Sequence, residues 1–356
     1  MQSRKKFLRV VVKVGSSLIS SRENVIGLTF LRNILSQIHA LCDEGKEVVL
    51  VSSGAVACGM SLLGVKKRPK DIASLQATAA IGQNELMGIY RKLLGEHKRL
   101  CAQLLLTWED FEDRRRYLNV RQTILHLLKD KVLPVINEND TVSTDEIRFG
   151  DNDKLSALVA NLVGADLLVI LSDVEGLYRL PGKEIIKVVE KITPEINRVC
   201  CTTDKEACRG GMSSKISAVK IALDMGIPAV IASGKARDTL IKAVSGENVG
   251  TLFIAKSARL KGKKRWIAYG VRPKGIITVD EGAKEALVKN GRSLLSVGIL
   301  AIQGDFDAGE TVGIVDVSQK EFARGKINLS SRELERHKGL RLKEEVIHRD
   351  NLAVIE

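Results

Sequence analysis

Aromatic side chains make up only 4% of these 356 residues, with two tryptophans and four tyrosines among them. The core must then be built mostly from Val, Ile, Leu and Ala, and few rings are available for nucleic-acid bases to stack on. Proline is scarce as well, at six residues, and 44% of the chain is hydrophobic. That excludes a fibrous or disordered chain and leaves ample material for packed cores. The six cysteines (Cys42, Cys58, Cys101, Cys200, Cys201, Cys208) contain no Cys-x-x-Cys pair, and the five histidines form no His-Glu-x-x-His. Neither a zinc site nor a disulfide framework fits; reduced thiols in packed positions do. No apolar run approaches the roughly 20 residues of a membrane span. The start "MQSRKKFLRVVVKVG" puts basic residues ahead of apolar ones, but Arg9 and Lys13 leave too short an unbroken run for a secretory signal. The expected location is the cytoplasm, with no membrane partner.

What is present is a long, basic chain. At roughly 150 residues per domain, 356 residues suggest two. From residue 8 to about 255, short β-rich runs ("LRVVVKV", "EVVLVSS", "CAQLLLT", "VLPVIN", "DLLVILS", "PAVIAS") alternate with helix-like stretches such as "LTFLRNILSQIHALCDEG". That alternation predicts a mainly parallel sheet sandwiched by helices, an α/β domain over residues 1–255. The polar, basic run "KSARLKGKKRW" reads as a linker over 256–266. Residues 267–356 carry glycine-punctuated strand candidates ("RWIAYG", which overlaps the linker's end, "GIITVD", "SLLSVGILAIQG", "ETVGIVDV", "EFARGKINLS") around a helix-like "EGAKEALVKNG", predicting a small, mainly β domain. The net charge is +13, and residues 256–356 hold 20 Lys and Arg against 14 Asp and Glu. An anionic partner is compatible with that excess, and so is a solvated basic surface.

On parallel sheets ligands sit beyond the carboxyl ends of the strands, which makes the residues there the ones to inspect. The first strand runs into Lys13, Gly15 and two serines; the second runs into "SSGAVACG", with Ser53 and Gly54 ahead of a helix. Exposed amides at a helix N-terminus cradle anions. "PVINENDTVS" ends a strand in Asn137, Glu138, Asn139 and Asp140, and "FGDNDKLSALVA" places Asp151, Asn152 and Asp153 at the head of a helix. One capping residue would serve that helix, and three polar groups are supplied. "LSDVEGLY" follows with Ser172 and Asp173, and "RGGMSSK" opens a last helix with Lys215 in its early part. The spacing is not that of a Walker A loop. Two separated lysines, glycine-rich amides and a small polar pocket suit phosphoryl transfer, which runs on positioning and on neutralising charge.

In that order, "VVKVGSSLI", "VSSGAVACG", "VINENDTVS", "FGDNDKLSALVA", "LSDVEGLY" and "GGMSSK" resemble bacterial glutamate 5-kinases of the amino acid kinase superfamily. "KKRWIAYGVRPKGIITVDEGAKEAL", "GRSLLSVGILAIQGDF" and "EEVIHRDNL" resemble the PUA domain that many of them carry. The resemblance implies ATP-dependent phosphorylation of the side-chain carboxylate of L-glutamate, the first step of proline synthesis. Lys13 and Lys215 would grip the transferring phosphoryl group, with Asp153 holding both. Ser53, Asp140, Asn152, Asn137 and Gly54 would form the glutamate site, Asp140 taking the α-ammonium. ATP would meet Lys13, Gly15, Ser172, Asp173 and the loop of Arg209, Gly210, Gly211, Met212, Ser213, Ser214 and Lys215. The nucleotide would bring its own Mg²⁺, which needs few protein ligands. Feedback inhibition by proline, a homo-oligomer and RNA contact through the PUA domain also come with the resemblance.

Three departures from the family pattern stand out: "RLPGKE" after "GLY", Arg209 in place of a threonine, and a short connection before "EEVIHRDNL". Two alternatives stay open on sequence. One is a related kinase acting on N-acetylglutamate, aspartate or UMP; the other is an RNA-binding or RNA-modifying factor built around the PUA-like part.

Overall fold

A computed structural model describes residues 7–19, 27–143, 152–179, 184–193, 196, 211–255, 262–271, 273–340, 342 and 344–355. The chain divides into two compact units, one of Met1–Asp110 with Arg114–Ser257 and one of Phe111–Asp113 with Ala258–Glu356.

In the first unit the strands are β1 (Arg9–Val14), β2 (Glu47–Ser52), β3 (Cys101–Leu106), β4 (Leu133–Glu138), β5 (Leu167–Ser172), β6 (Val188–Val189), β7 (Ala229–Ser233) and β8 (Thr251–Phe253). They form one sheet in the order β3-β4-β2-β1-β5-β7-β8-β6. Pairing is parallel from β3 through β7, and β8 runs antiparallel to β7. The helices are α1 (Ser16–Ile19), α2 (Leu28–Asp43), α3 (Ala55–Leu62), α4 (Ile72–Gly95), α5 (Glu109–Glu112), whose second half is counted with the other unit, α6 (Arg114–Lys129), α7 (Asn152–Val163), α8 (Met212–Asp224) and α9 (Thr239–Ser245). All six strand positions foreseen in the sequence are strands, and the mainly parallel α/β architecture is as expected.

Both faces of this sheet are covered, which is why β1 and β5 are nearly unbroken apolar runs. Val10, Val12 and Val14 share a core with Leu31, Ile34, Leu35, Ile38 and Leu41 of α2 and with Leu86, Tyr90 and Leu93 of α4. The α2 residues recur at helical spacing along one face, and Gly45 with its φ of +80° lies just beyond that helix's end. α7 packs against the opposite face, over β1, β5 and β2. Strand alternation turns Lys13 to the same side as Val11, the side α7 covers. Helices α3 and α4 approach to backbone contact: a methyl on Gly59 would meet Thr78 O at 1.9 Å, and one on Gly82 would meet Ala55 O at 1.9 Å.

The second unit contains α10 (Gly262–Tyr269), β9 (Gly275–Val279), α11 (Glu281–Val288), β10 (Ile299–Gln303), β11 (Thr311–Val315), β12 (Glu321–Lys326), α12 (Ser331–His337) and β13 (Leu352–Val354). Its five-stranded sheet has the order β10-β9-β11-β12-β13. Ile277, Val279, Phe306, Ile314, Phe322 and Ile347 are among its core. A capping box between Ser330 and Glu333 starts α12.

"RWIAYG" is not a strand. It is helical, in α10, and this helix also takes up the described end of the run expected as a linker, of which 256–261 lie outside the described residues. Trp266, Ile267 and Ala268 are buried, and Trp266 Nε1 donates to Phe111 O at 2.8 Å. An apolar run this short carries no period that distinguishes strand from helix. β13 was not foreseen either; three residues pair with β12 at the sheet edge.

Candidate active site

The ends of five strands, β1, β2, β4, β5 and β7, emerge at one edge of the first sheet, because parallel pairing sets them level. Val14 lies opposite Ser52 on one side and Leu171 on the other, and Ser172 lies opposite Ser233. Val51 pairs with Ile136, which brings Asn137 level with Ser52. Between β2 and α3 the chain turns at Gly54, whose φ of +111° suits only glycine, so that Ser53 stays at this edge.

Lys13 is 5% exposed and Lys215 8%, and a buried ammonium must be paired. Both pair with Asp153, the second residue of α7. Lys13 Nζ lies 2.5 Å from Asp153 Oδ1, and Lys215 Nζ lies 3.5 Å from Oδ2. Ser214 Oγ donates to the same Oδ2 at 2.7 Å. Burial by itself would push the Asp153 carboxyl up. The two ammonium charges, with hydrogen bonds from Lys13 and Ser214, outweigh it and hold the group down at about 2. Asp153 is therefore a fixed anion that gathers two cations from distant parts of the chain. β1, α7 and the first turn of α8 meet at this carboxylate, and α8 brings its N-terminal amides with Gly211 as cap. Converging ammonium groups beside a helix N-terminus form a receptor for phosphate.

Next to it lies a second cluster. Asn152 is wholly buried, and its Nδ2 donates to Ser52 O at 2.8 Å, Asn137 Oδ1 at 2.6 Å and Ser53 Oγ at 3.1 Å. Its side chain serves the strand ends and not the helix cap. Asn137 in turn donates from Nδ2 to Gln83 Oε1 at 2.8 Å, and Ser52 Oγ meets the Tyr90 hydroxyl at 2.7 Å. Burial first raises the Tyr90 hydroxyl's pKa, against the lowering effect of that bond to Ser52. Gln83 and Tyr90 escaped the sequence reading. A glutamine and a tyrosine two helical turns apart, amid the small residues of "ATAAIGQNELMGIY", were the available signal.

The residues singled out from sequence are distributed as follows. Lys13, Lys215, Asp153 and Ser214 come together, and Asn152, Asn137 and Ser53 form the adjoining cluster. Gly15 follows β1, where a methyl on it would lie 3.6 Å from Lys13 Nζ. Asp140 is half-buried in the turn after β4, and Gly211, Met212 and Ser213 lead into and begin α8. Ser172 Oγ donates to Asp173 Oδ1 at 3.0 Å; among the described residues neither bonds to the Asp153 cluster. Arg209, Gly210 and Asp151 lie outside the described residues. Among the described residues no three His, Cys, Asp or Glu side chains gather as metal ligands, and no helix is long and apolar enough to cross a membrane.

Residues 8–233 match the family model described as the amino acid kinase family. The chain belongs to that family. Residues 275–348 match the model described as the PUA domain. This amino acid kinase is 44% identical over 365 residues to a glutamate 5-kinase of Thermoanaerobacter sp. (strain X514), covering 98% of each chain. It is 44% identical to the glutamate 5-kinase of Paraburkholderia phymatum and 45% identical to that of Burkholderia thailandensis, each over 363 residues and 98% of both chains.

Proposed function

We propose that this kinase transfers the γ-phosphoryl group of ATP to the side-chain carboxylate of L-glutamate, giving L-glutamyl 5-phosphate, the first step of proline synthesis from glutamate. The observation that carries the reading is the convergence of Lys13 and Lys215 on Asp153. Relatives of near-identical length named for this activity support it.

The chemistry asks little covalent help of the protein. The acceptor carboxylate is already ionised at neutral pH, so no general base is needed to make it a nucleophile. It attacks the γ-phosphorus in line, the bond to the bridging oxygen breaks, and ADP departs. Charge on the migrating group is spread over its outer oxygens, and preorganised cations stabilise it there. Lys13 and Lys215 supply those cations, and Asp153 sets where they stand. Ser53, Gly54, Asn137, Asp140 and Asn152 seat the amino acid, with Asp140 on its ammonium. Gly15, Ser172, Asp173 and the segment from Arg209 to Ser214 serve the nucleotide. Mg²⁺ travels with the nucleotide and shields its phosphate charge.

The same reading assigns residues 1–255 to catalysis and 267–356 to a PUA domain. It also includes a homo-oligomer, inhibition by proline, RNA contact through the PUA domain and a cytoplasmic setting that suits the free Cys42, Cys58 and Cys101. ADP release assayed in parallel with L-glutamate, N-acetylglutamate, aspartate and UMP tests the central claim. L-glutamate is the expected acceptor; release driven only by one of the other three sinks it.

A further inference from the structure

Asn152 is held through a chain of amides that begins on α4. Gln83 Oε1 accepts from Asn137 Nδ2, and Asn137 Oδ1 accepts from both Asn152 Nδ2 and the Glu138 backbone N–H, the last at 2.9 Å. The polarity of this chain is fixed at Asn137 and at Asn152 by backbone groups that cannot reverse. The Glu138 N–H only donates, so Asn137 must turn its oxygen toward it. That leaves the Asn137 nitrogen needing an acceptor, which Gln83 provides. The Ser52 carbonyl only accepts, so Asn152 must turn its nitrogen that way. What remains is Asn152 Oδ1, buried and, among the described residues, without a hydrogen-bond partner.

A buried acceptor with no donor is costly and uncommon, and a ligand that brings a donor offsets the cost. L-glutamate carries one group of that kind, its α-ammonium, whose three N–H donors can serve Asn152 and Asp140 at once. We propose that Gln83 is a positioning residue for the amino acid substrate: through Asn137 it holds the Asn152 amide with its oxygen turned toward the substrate's ammonium group. This rests on the glutamate reading above. The placement of α4 supports the role. Gly82, the neighbour of Gln83, sits in backbone contact with α3, and Tyr90, two turns along α4, meets Ser52 Oγ. Gln83 thus approaches Asn137 from a fixed support.

The test is steady-state kinetics of Gln83→Leu and Gln83→Glu, with L-glutamate and ATP varied separately and Tm measured alongside. Leucine removes the acceptor, leaves the Asn137 nitrogen without its partner and so loosens the hold of Asn137 on Asn152. The expected result is a KM for L-glutamate raised about tenfold, with the KM for ATP within about twofold of the unaltered enzyme. Glutamate at 83 keeps an acceptor in place, so Gln83→Glu stays within about threefold of the unaltered KM. Should Gln83→Leu fail to fold, Gln83→Met, close in size and equally without an acceptor, takes its place. An unchanged KM for L-glutamate in the folded variant overturns the proposal. So does a Gln83→Glu as impaired as Gln83→Leu, or a KM for ATP that rises in step. Turnover of L-glutamate by the unaltered enzyme is read first. Its absence defeats the functional reading, whereas a normal enzyme with an indifferent Gln83→Leu defeats only the positioning role.

Discussion

Asp153 in the first unit and Asp316 in the second each bring a carboxylate to a lysine ammonium and a serine hydroxyl. Around Asp316, Lys284 Nζ lies 2.8 Å from Oδ2, while Oδ1 accepts from Ser318 Oγ at 2.6 Å, Ser318 N at 3.0 Å and Lys320 N at 3.1 Å. All but Lys284 stand within four residues, in the turn between β11 and β12. Hydrogen bonds from Lys284, Ser318 and Lys320 hold that carboxyl well below the usual range. Asp153 is held low as well, but by groups from β1 and α8. One carboxylate closes a turn, whereas the other ties together parts of the chain far apart in sequence. A depressed carboxyl alone does not mark a site; the long-range meeting of two cations does.

Replacing either group tests that contrast. Lys215→Ala has the largest expected effect, about 3 kcal/mol of barrier and a kcat down by about 10²–10³, measured as ADP release. A kcat near that of the unaltered enzyme would remove Lys215 from the reaction. Asp153→Asn is expected to lower kcat by about 10², because the lysines then lose the anion that sets their positions. Asp153 also links stability to pH. Its folded value lies below its ordinary 3.8, so its contribution is complete above about 4 and disappears as pH falls toward about 2. Acid titration of unfolding should therefore show a transition in that window that Asp153→Asn lacks. Asp316→Asn has the smallest effect: a lowered Tm with kcat and both KM values unchanged. Any loss of turnover there would erase the distinction between the two clusters.

Much of this was legible in the sequence, and for particular reasons. Six of the first sheet's eight strands showed themselves because each is an apolar run closed by polar residues, whereas β6 and β8, two and three residues long, are too short to carry such a pattern. Lys13, Asp153 and Lys215 were visible as charged residues where a buried strand or helix begins or ends. Gln83 was not, since a single polar residue inside a long helix has no local pattern to betray a partner 54 positions away. α10 was misread because Trp266, Ile267 and Ala268 are contiguous, and their burial is decided by what packs on them.

The bare crossing of α3 and α4 limits what redesign can do near the Asn152 cluster. With Thr78 O and Ala55 O already where a methyl at Gly59 or Gly82 would go, any side chain at either glycine must force the two helices apart, and Gly54 and Gln83 stand beside that crossing. Anyone hoping to admit a bulkier acid would do better to trim side chains around Asn152 than to widen the helical frame behind them.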